Sequence, residues 1–217
     1  MPKLFVSNKD ESARLFKSDF LELFTHVHWS VPLIIFVPVV VYSLYVTISG
    51  GIVGLGAGVS LFLIGGFVWT LTEYLLHRFA FHYQPKSVWG QRIHFLTHGV
   101  HHDYPNDTKR LVMVPTISIP LAAAFYIAFG LILGFHYVPP FFAGFILGYI
   151  AYDEIHYATH HAPFKSGVFL YLKQHHIRHH YGNPDRGYGV SSPLWDHVFG
   201  TLDEKEKAGE SGSSATA

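Results

Sequence analysis

Charged side chains vanish from two long stretches of this chain. No Asp, Glu, Lys or Arg occurs from Leu23 to Thr72, and none from Leu111 to Tyr152. A helix needs about 20 apolar residues to cross a bilayer, so each stretch holds two crossings and a tight hairpin. Turn signals sit mid-stretch: Gly50-Gly51 in the first, His136-Tyr137-Val138-Pro139-Pro140 in the second. The pattern predicts four transmembrane helices at about 31–49, 52–75, 115–135 and 138–158. The first apolar stretch starts too far in, with no cleavage pattern, to be a signal peptide. Gly65 and Gly66 suit close helix packing in lipid; Gly50, Gly51, Gly54 and Gly56 fit a loop equally well.

Two hairpins place residues 1–22, 73–110 and 153–217 on one side of the membrane, and these hold all 15 Lys and Arg. The positive-inside rule makes that side cytoplasmic. The expected fold is all-α, four spans with a cytoplasmic helical cap. Residues 12–28 read as a helix lying in the membrane plane, with Leu15, Phe16, Phe20, Leu23, Phe24 and Val27 on one face and Ser12 as its cap. The polar tail from Asp203 reads as disordered, which leaves one domain over 1–202 and a tail over 203–217.

Composition sharpens this. The 217 residues are 49% apolar and 14% charged, against about 25% charged in soluble domains. Net charge is zero with neutral histidines, which gives no electrostatic case for a nucleic-acid partner. There is no cysteine, so disulfides, iron–sulfur clusters and thiol catalysis are excluded. Histidine is abundant, 17 residues against 15 Lys and Arg, and points to imidazole-ligated metal.

Most histidines fall in the two cytoplasmic segments as spaced groups: HRFAFH (His77, His82), HGVHH (His98, His101, His102), HYATHH (His156, His160, His161) and HHIRHH (His175, His176, His179, His180). Residues three or four apart share a helix face, so several imidazoles can converge. They outnumber the ligands of one ion, about four for zinc and six for an octahedral metal, which makes two metals the economical reading. His77 and His82 straddle the end of the second span, where the helix is expected to end or kink. His26, His28, His94 and His136 read as ordinary polar histidines. Glu73 precedes His77 by four and Asp153 precedes His156 by three, as expected of carboxylates that orient an imidazole.

These motifs, followed by GYGVSSPLWDHVFGTL, resemble the fatty-acid hydroxylase superfamily of membrane di-metal enzymes. FKSDFLELFTHVHWSVPLIIFVPVVVYS and FVWTLTEYLLHRFAFH are similar to its fatty-acid (sphingolipid) 2-hydroxylase group, and the resemblance covers about residues 15–202. It implies ten metal ligands: His77, His82, His98, His101, His102, His156, His160, His176, His179 and His180. His161 and His175 are extra to that set. Tyr157, Tyr181, Asn183, Arg186, Tyr188 and Trp195 are candidate head-group contacts, although the aromatic ones also fit interfacial anchors.

The implied reaction is hydroxylation at C2 of a long acyl chain, free or in a ceramide, by two iron ions and dioxygen. Zinc or another divalent metal also suits the imidazoles. Members with a fused cytochrome b5 domain carry a His-Pro-Gly-Gly motif. It is absent here, so the expected electron donor is a separate protein of cytochrome b5 or ferredoxin type. The expected membrane is the endoplasmic reticulum in a eukaryote and the inner membrane in a bacterium. The alternatives are a sterol or carotenoid hydroxylase or desaturase of the same superfamily and, remotely, a His-rich metal transporter.

Overall fold

In the computed structural model, residues 5–51 and 53–203 are described, and among them every regular element is helical. Residues 204–217, most of the predicted tail, lie outside them. Four long helices form the frame: α2 (Val31–Ser49), α3 (Leu55–Leu75), α6 (Pro115–Leu133) and α7 (Val138–His161). Short helices complete the histidine-bearing end: α1 (Asp19–Leu23), α4 (Val88–His94), α5 (Val100–Asp103), α8 (Gly167–Tyr181) and α9 (Leu194–Phe199). Three segments, Val31–Ser49, Leu55–Phe81 and Pro115–Leu133, are long and apolar enough to cross a membrane. They turn Ile34, Val41, Ile48, Leu63, Phe67 and Leu131 outward, which suits lipid and not water. The chain is a membrane protein.

Helix α7 is the hub, packed on α3, α2 and α6. Phe36, Trp69, Phe142, Phe145, Ile146 and Tyr149 build the core around it. Backbone contact brings α3 and α7 together. A Cβ on Gly144 would sit 1.9 Å from the Phe62 carbonyl oxygen, and one on Gly65 equally close to that of Phe141. Gly54 and Gly56 meet nothing, so of the glycines read as packing residues Gly65 is the one that needs its small size. Gly144→Ala is expected to force α3 from α7 at a cost of about 3 kcal/mol. A fall in the melting temperature of the detergent-solubilised protein checks this; unchanged melting would contradict the contact.

The second hairpin turns at Gly134, with φ +85, not at the prolines. Pro139 and Pro140 lie in the first turn of α7, where a missing N–H costs nothing. The in-plane helix expected over 12–28 shrinks to Asp19–Leu23, capped by Ser18. The physical cause is Glu22, whose Oε2 accepts the N–H groups of Leu15 (3.0 Å) and Phe16 (2.7 Å) while Oε1 takes Arg110 Nη2 (2.8 Å). Ser12, the expected cap, donates to Asp107 instead (2.6 Å). The segment is thus strapped, mostly non-helical, across the 104–110 loop.

Candidate metal centre

The α3 helix does not end at Leu75 but widens into a π-helix, Leu76–Phe81. In an α-helix a step of five residues rotates by about 140°, which would part His77 from His82. The i→i+5 bond from His82 N–H to the His77 carbonyl (3.1 Å) puts them on one side. A second π segment, Phe95–Gly99, carries His98 before α5 supplies His101 and His102.

The imidazoles sort into two groups of five. His77, His82, His98, His102 and His179 form one; His101, His156, His160, His176 and His180 form the other. In each, the nearest nitrogens lie within 4.8 Å of one another. Motif and group do not coincide. HGVHH sends His98 and His102 to the first group and His101 to the second. HHIRHH sends His176 and His180 to the second and His179 to the first. Helix geometry explains this: 176 and 180 are nearly aligned on α8, whereas 179 and 180 diverge by about 100°. The rings of His102 and His180 stack at 4.3 Å, so the groups adjoin.

His98 Nε2 lies 3.2 Å from His77 Nε2, 3.2 Å from His82 Nε2 and 3.0 Å from His102 Nε2. One imidazole nitrogen has a single proton or lone pair and cannot satisfy three partners. In the second group His101–His156, His160–His176 and His176–His180 approach at 2.9, 2.9 and 3.0 Å through Nε2. Ligands about 2.1 Å from an ion and at right angles are separated by about 3.0 Å. The nitrogens therefore fit the edges of coordination polyhedra.

Ring orientation in the first group comes from backbone. His77 Nδ1 donates to the Tyr188 carbonyl (2.5 Å), and His179 Nδ1 to that of Arg186 (2.7 Å). This fixes both protons on Nδ1 and leaves Nε2 as a lone pair. His179 Nε2 is buried and has no protein partner, as a metal-facing nitrogen would be.

The loop that offers these carbonyls is itself clamped. Asp196 accepts from Tyr188 N–H (2.9 Å), Gly189 N–H (2.7 Å) and Thr201 Oγ1 (2.7 Å), and pairs with His175 Nε2 at 3.3 Å. Glu73 Oε1 accepts from Val190 N–H (2.7 Å) and Ser191 N–H (2.8 Å), and Oε2 from the Ser191 hydroxyl. Between the two carbonyls Gly187 has φ +71, a conformation that favours glycine.

This corrects the role expected of Glu73: it holds the loop that orients His77, not His77 itself. Asp153 accepts from Met113 N–H (3.4 Å) instead of His156. His175 serves the Asp196 clamp, and His161 lies beyond both groups against Tyr157.

The expected head-group contacts are engaged elsewhere. Tyr181 donates to Asn8, Asn183 Oδ1 accepts from Asp185 N–H, Arg186 donates to the Gly200 carbonyl, and Trp195 donates to Thr70. Tyr157 packs on Trp29. Tyr188 lies against the first histidine group, its ring within 5.8 Å of His77, His82 and His179.

What the sequence did not single out is a cavity of about 390 Å³. Its wall includes His98 from the first group and His101 and His156 from the second, with Asp153 beside them. The rest is largely apolar: Phe81, Leu96, Val112, Met113, Ile117, and Leu15, Phe16 and Phe24 of the strapped segment. Arg110 closes one side, joined to Glu22 and Asp107.

Burial first, and neighbouring imidazoles second, push the clustered histidines down, His102 to about 3 and His98, His101, His176 and His180 well below their ordinary value. Imidazoles neutral at pH 7 are the ligand form. The unfolded chain takes up these protons first, near pH 6.5. Stability is therefore complete above that pH and is lost as pH falls toward 3. Bound metal is expected to leave over the same window. Metal analysis after dialysis from pH 7.5 to pH 4 checks this, and full retention at pH 4 would contradict imidazole ligation.

A fatty acid hydroxylase family model matches residues 62–201, which span both histidine groups and the clamped loop. The chain belongs to the fatty acid hydroxylase family. It is 44% identical over 193 residues to the dihydroceramide fatty acyl 2-hydroxylase FAH1 of Arabidopsis thaliana, covering 88% of this chain and 81% of that protein. To the fatty acid 2-hydroxylase of Homo sapiens it is 40% identical over 210 residues, covering 87% and 56%. A solved structure described as full-length scs7p, with only the hydroxylase domain visible, superposes with a TM-score of 0.79 at 42% identity, covering 85% of this chain and 70% of that one. As a family member, this hydroxylase places its histidines where a cofactor of two metals fits.

Proposed function

We propose that this hydroxylase is a membrane di-metal monooxygenase acting at C2 of long acyl chains, free or in ceramides. The observation that carries it is the apolar cavity whose wall contains histidines of both groups. The names of the relatives favour acyl C2 over a sterol or carotenoid. We read α7 as a fourth span, because it runs the length of the three apolar helices it packs against. The histidines then sit with the Lys- and Arg-bearing segments, on the cytoplasmic face.

Two iron ions, one per histidine group, are the expected metals, and bound they supply dioxygen activation that side chains lack. One oxygen atom enters the C–H bond and the other leaves as water, with two electrons from a separate donor and two protons from solvent. The protein does the rest. Phe81, Met113 and Ile117 hold the chain and exclude water. Tyr188 and Arg186 carbonyls keep His77 and His179 in the ligand tautomer. C2 lies next to the carbonyl, so a polar head at the interface brings it to the span ends where the histidines are.

Mass spectrometry of total acyl chains from expressing cells tests the proposal, with His176→Ala/His180→Ala as control. A hydroxyl at C2, absent in the control, is expected. Altered sterols or carotenoids with unhydroxylated acyl chains would overturn it.

A further inference from the structure

Helices α2 and α6 both rest on α7 but leave a groove of about 560 Å³ between them. Ile35, Phe36 and Val39 of α2 line one wall and Ala122, Ala123 and Tyr126 of α6 the other, over Phe142 of α7. We propose that this groove seats the distal part of the acyl chain and sets the chain length accepted. The proposal rests on the acyl-hydroxylase reading above.

Alignment with the metal-side cavity along one face of α6 carries it. Thr116 lines that cavity, and Ile119, one turn further along α6, lines the groove. Positions 116, 119, 123 and 126 recur at helical spacing, so one face of α6 runs from the histidine end into the bilayer. From Thr116 to Ile127 that face rises about 16 Å, comparable to one leaflet, half of a hydrocarbon core of about 30 Å. A chain with C2 beside the histidines first fills the cavity and then meets about 12 Å of groove, from Ile119 to Ile127. A chain of eight carbons does not need the groove; a chain of twenty-four does.

The small side chains of Ala122 and Ala123 keep the groove open midway. A phenylalanine at 123 puts a ring across it. Ala124, the next residue, is exposed and not part of the wall.

The test uses metal-loaded protein in lipid nanodiscs with N-octanoyl and N-lignoceroyl sphingoid substrates. Ala123→Phe is expected to cut kcat/KM for the lignoceroyl substrate at least about tenfold and to leave the octanoyl one within about twofold. Tyr126→Ala is expected to move the optimum to longer chains, and Ala124→Phe to leave both substrates within about twofold. Equal loss on both substrates, or none, in metal-loaded Ala123→Phe would overturn the groove. If that variant does not fold, an unmoved optimum in Tyr126→Ala overturns it. An unsubstituted, metal-loaded protein supplied with electrons but inactive on both would overturn the acyl-hydroxylase reading itself.

Discussion

His98→Ala is expected to abolish hydroxylation and to leave one metal per chain in place of two. His98 Nε2 sits within 3.2 Å of three other imidazole nitrogens of its group and contacts none of the second group at that range. His176→Ala is expected to give the mirror result, because His176 Nε2 lies 2.9 and 3.0 Å from His160 and His180. Loss of a partner that merely orients a ligand costs about 10- to 100-fold, so loss of a ligand is expected to exceed about a hundredfold. Metal analysis of each purified variant checks the sorting. If either substitution emptied both positions while the protein stayed folded, the two-group division would be wrong.

Asp196→Ala is expected to be the most damaging change outside the histidines. Asp196 is fully buried and gathers two backbone N–H groups, a threonine hydroxyl and His175. Burial alone would raise its carboxyl, but the bonds from His175 and Thr201 outweigh that and hold it below the usual range. It is therefore ionised in the folded protein at neutral pH. Its removal leaves buried donors unpaired, at a cost of about 3 kcal/mol or more. Damage then propagates along named bonds: the Tyr188 peptide loses its anchor, and its carbonyl loosens from His77. Asp196→Asn keeps the volume but turns an amide N–H toward donors, so it is expected to lose metal affinity about 10- to 100-fold too. Thermal unfolding and metal titration check both. An Asp196→Asn protein with unaltered affinity would show that the loop does not orient the site.

The helical frame was legible because lipid demands uncharged stretches, and Val31–Ser49 lies inside the first charge gap and ends at Gly50. The end of α7 was less so, since its last turns carry Asp153, Glu154 and histidines in the same helix. Spacing makes the histidine groups visible and the resemblance implies a set of ten, but neither carries the partition into two groups of five. That depends on the π segment between His77 and His82 and on which way the 98–102 turn faces, and neither leaves a periodic signal. Glu73 was visible as a carboxylate one turn from His77, yet its partners lie at Val190 and Ser191, far along the chain. Asp196 lies inside SPLWDHVFG, where one aspartate among apolar residues is the only signal of its role. The cavity wall was hidden for the same reason: Leu15 and Phe16 reach it through a strap tied by Glu22 to Arg110. The partners of the head-group candidates were not legible, because they lie far along the chain or on backbone, as the Gly200 carbonyl does for Arg186.

The two histidine groups and the adjoining cavity together are proposed to place oxygen at C2 of an acyl chain. The most direct test supplies metal-loaded protein with a ceramide, reducing equivalents and isotopically heavy dioxygen, and locates the label by fragmentation. The account requires one heavy oxygen at C2 and none there from water. Label placed elsewhere on the chain, or a C2 hydroxyl derived from water, would contradict it.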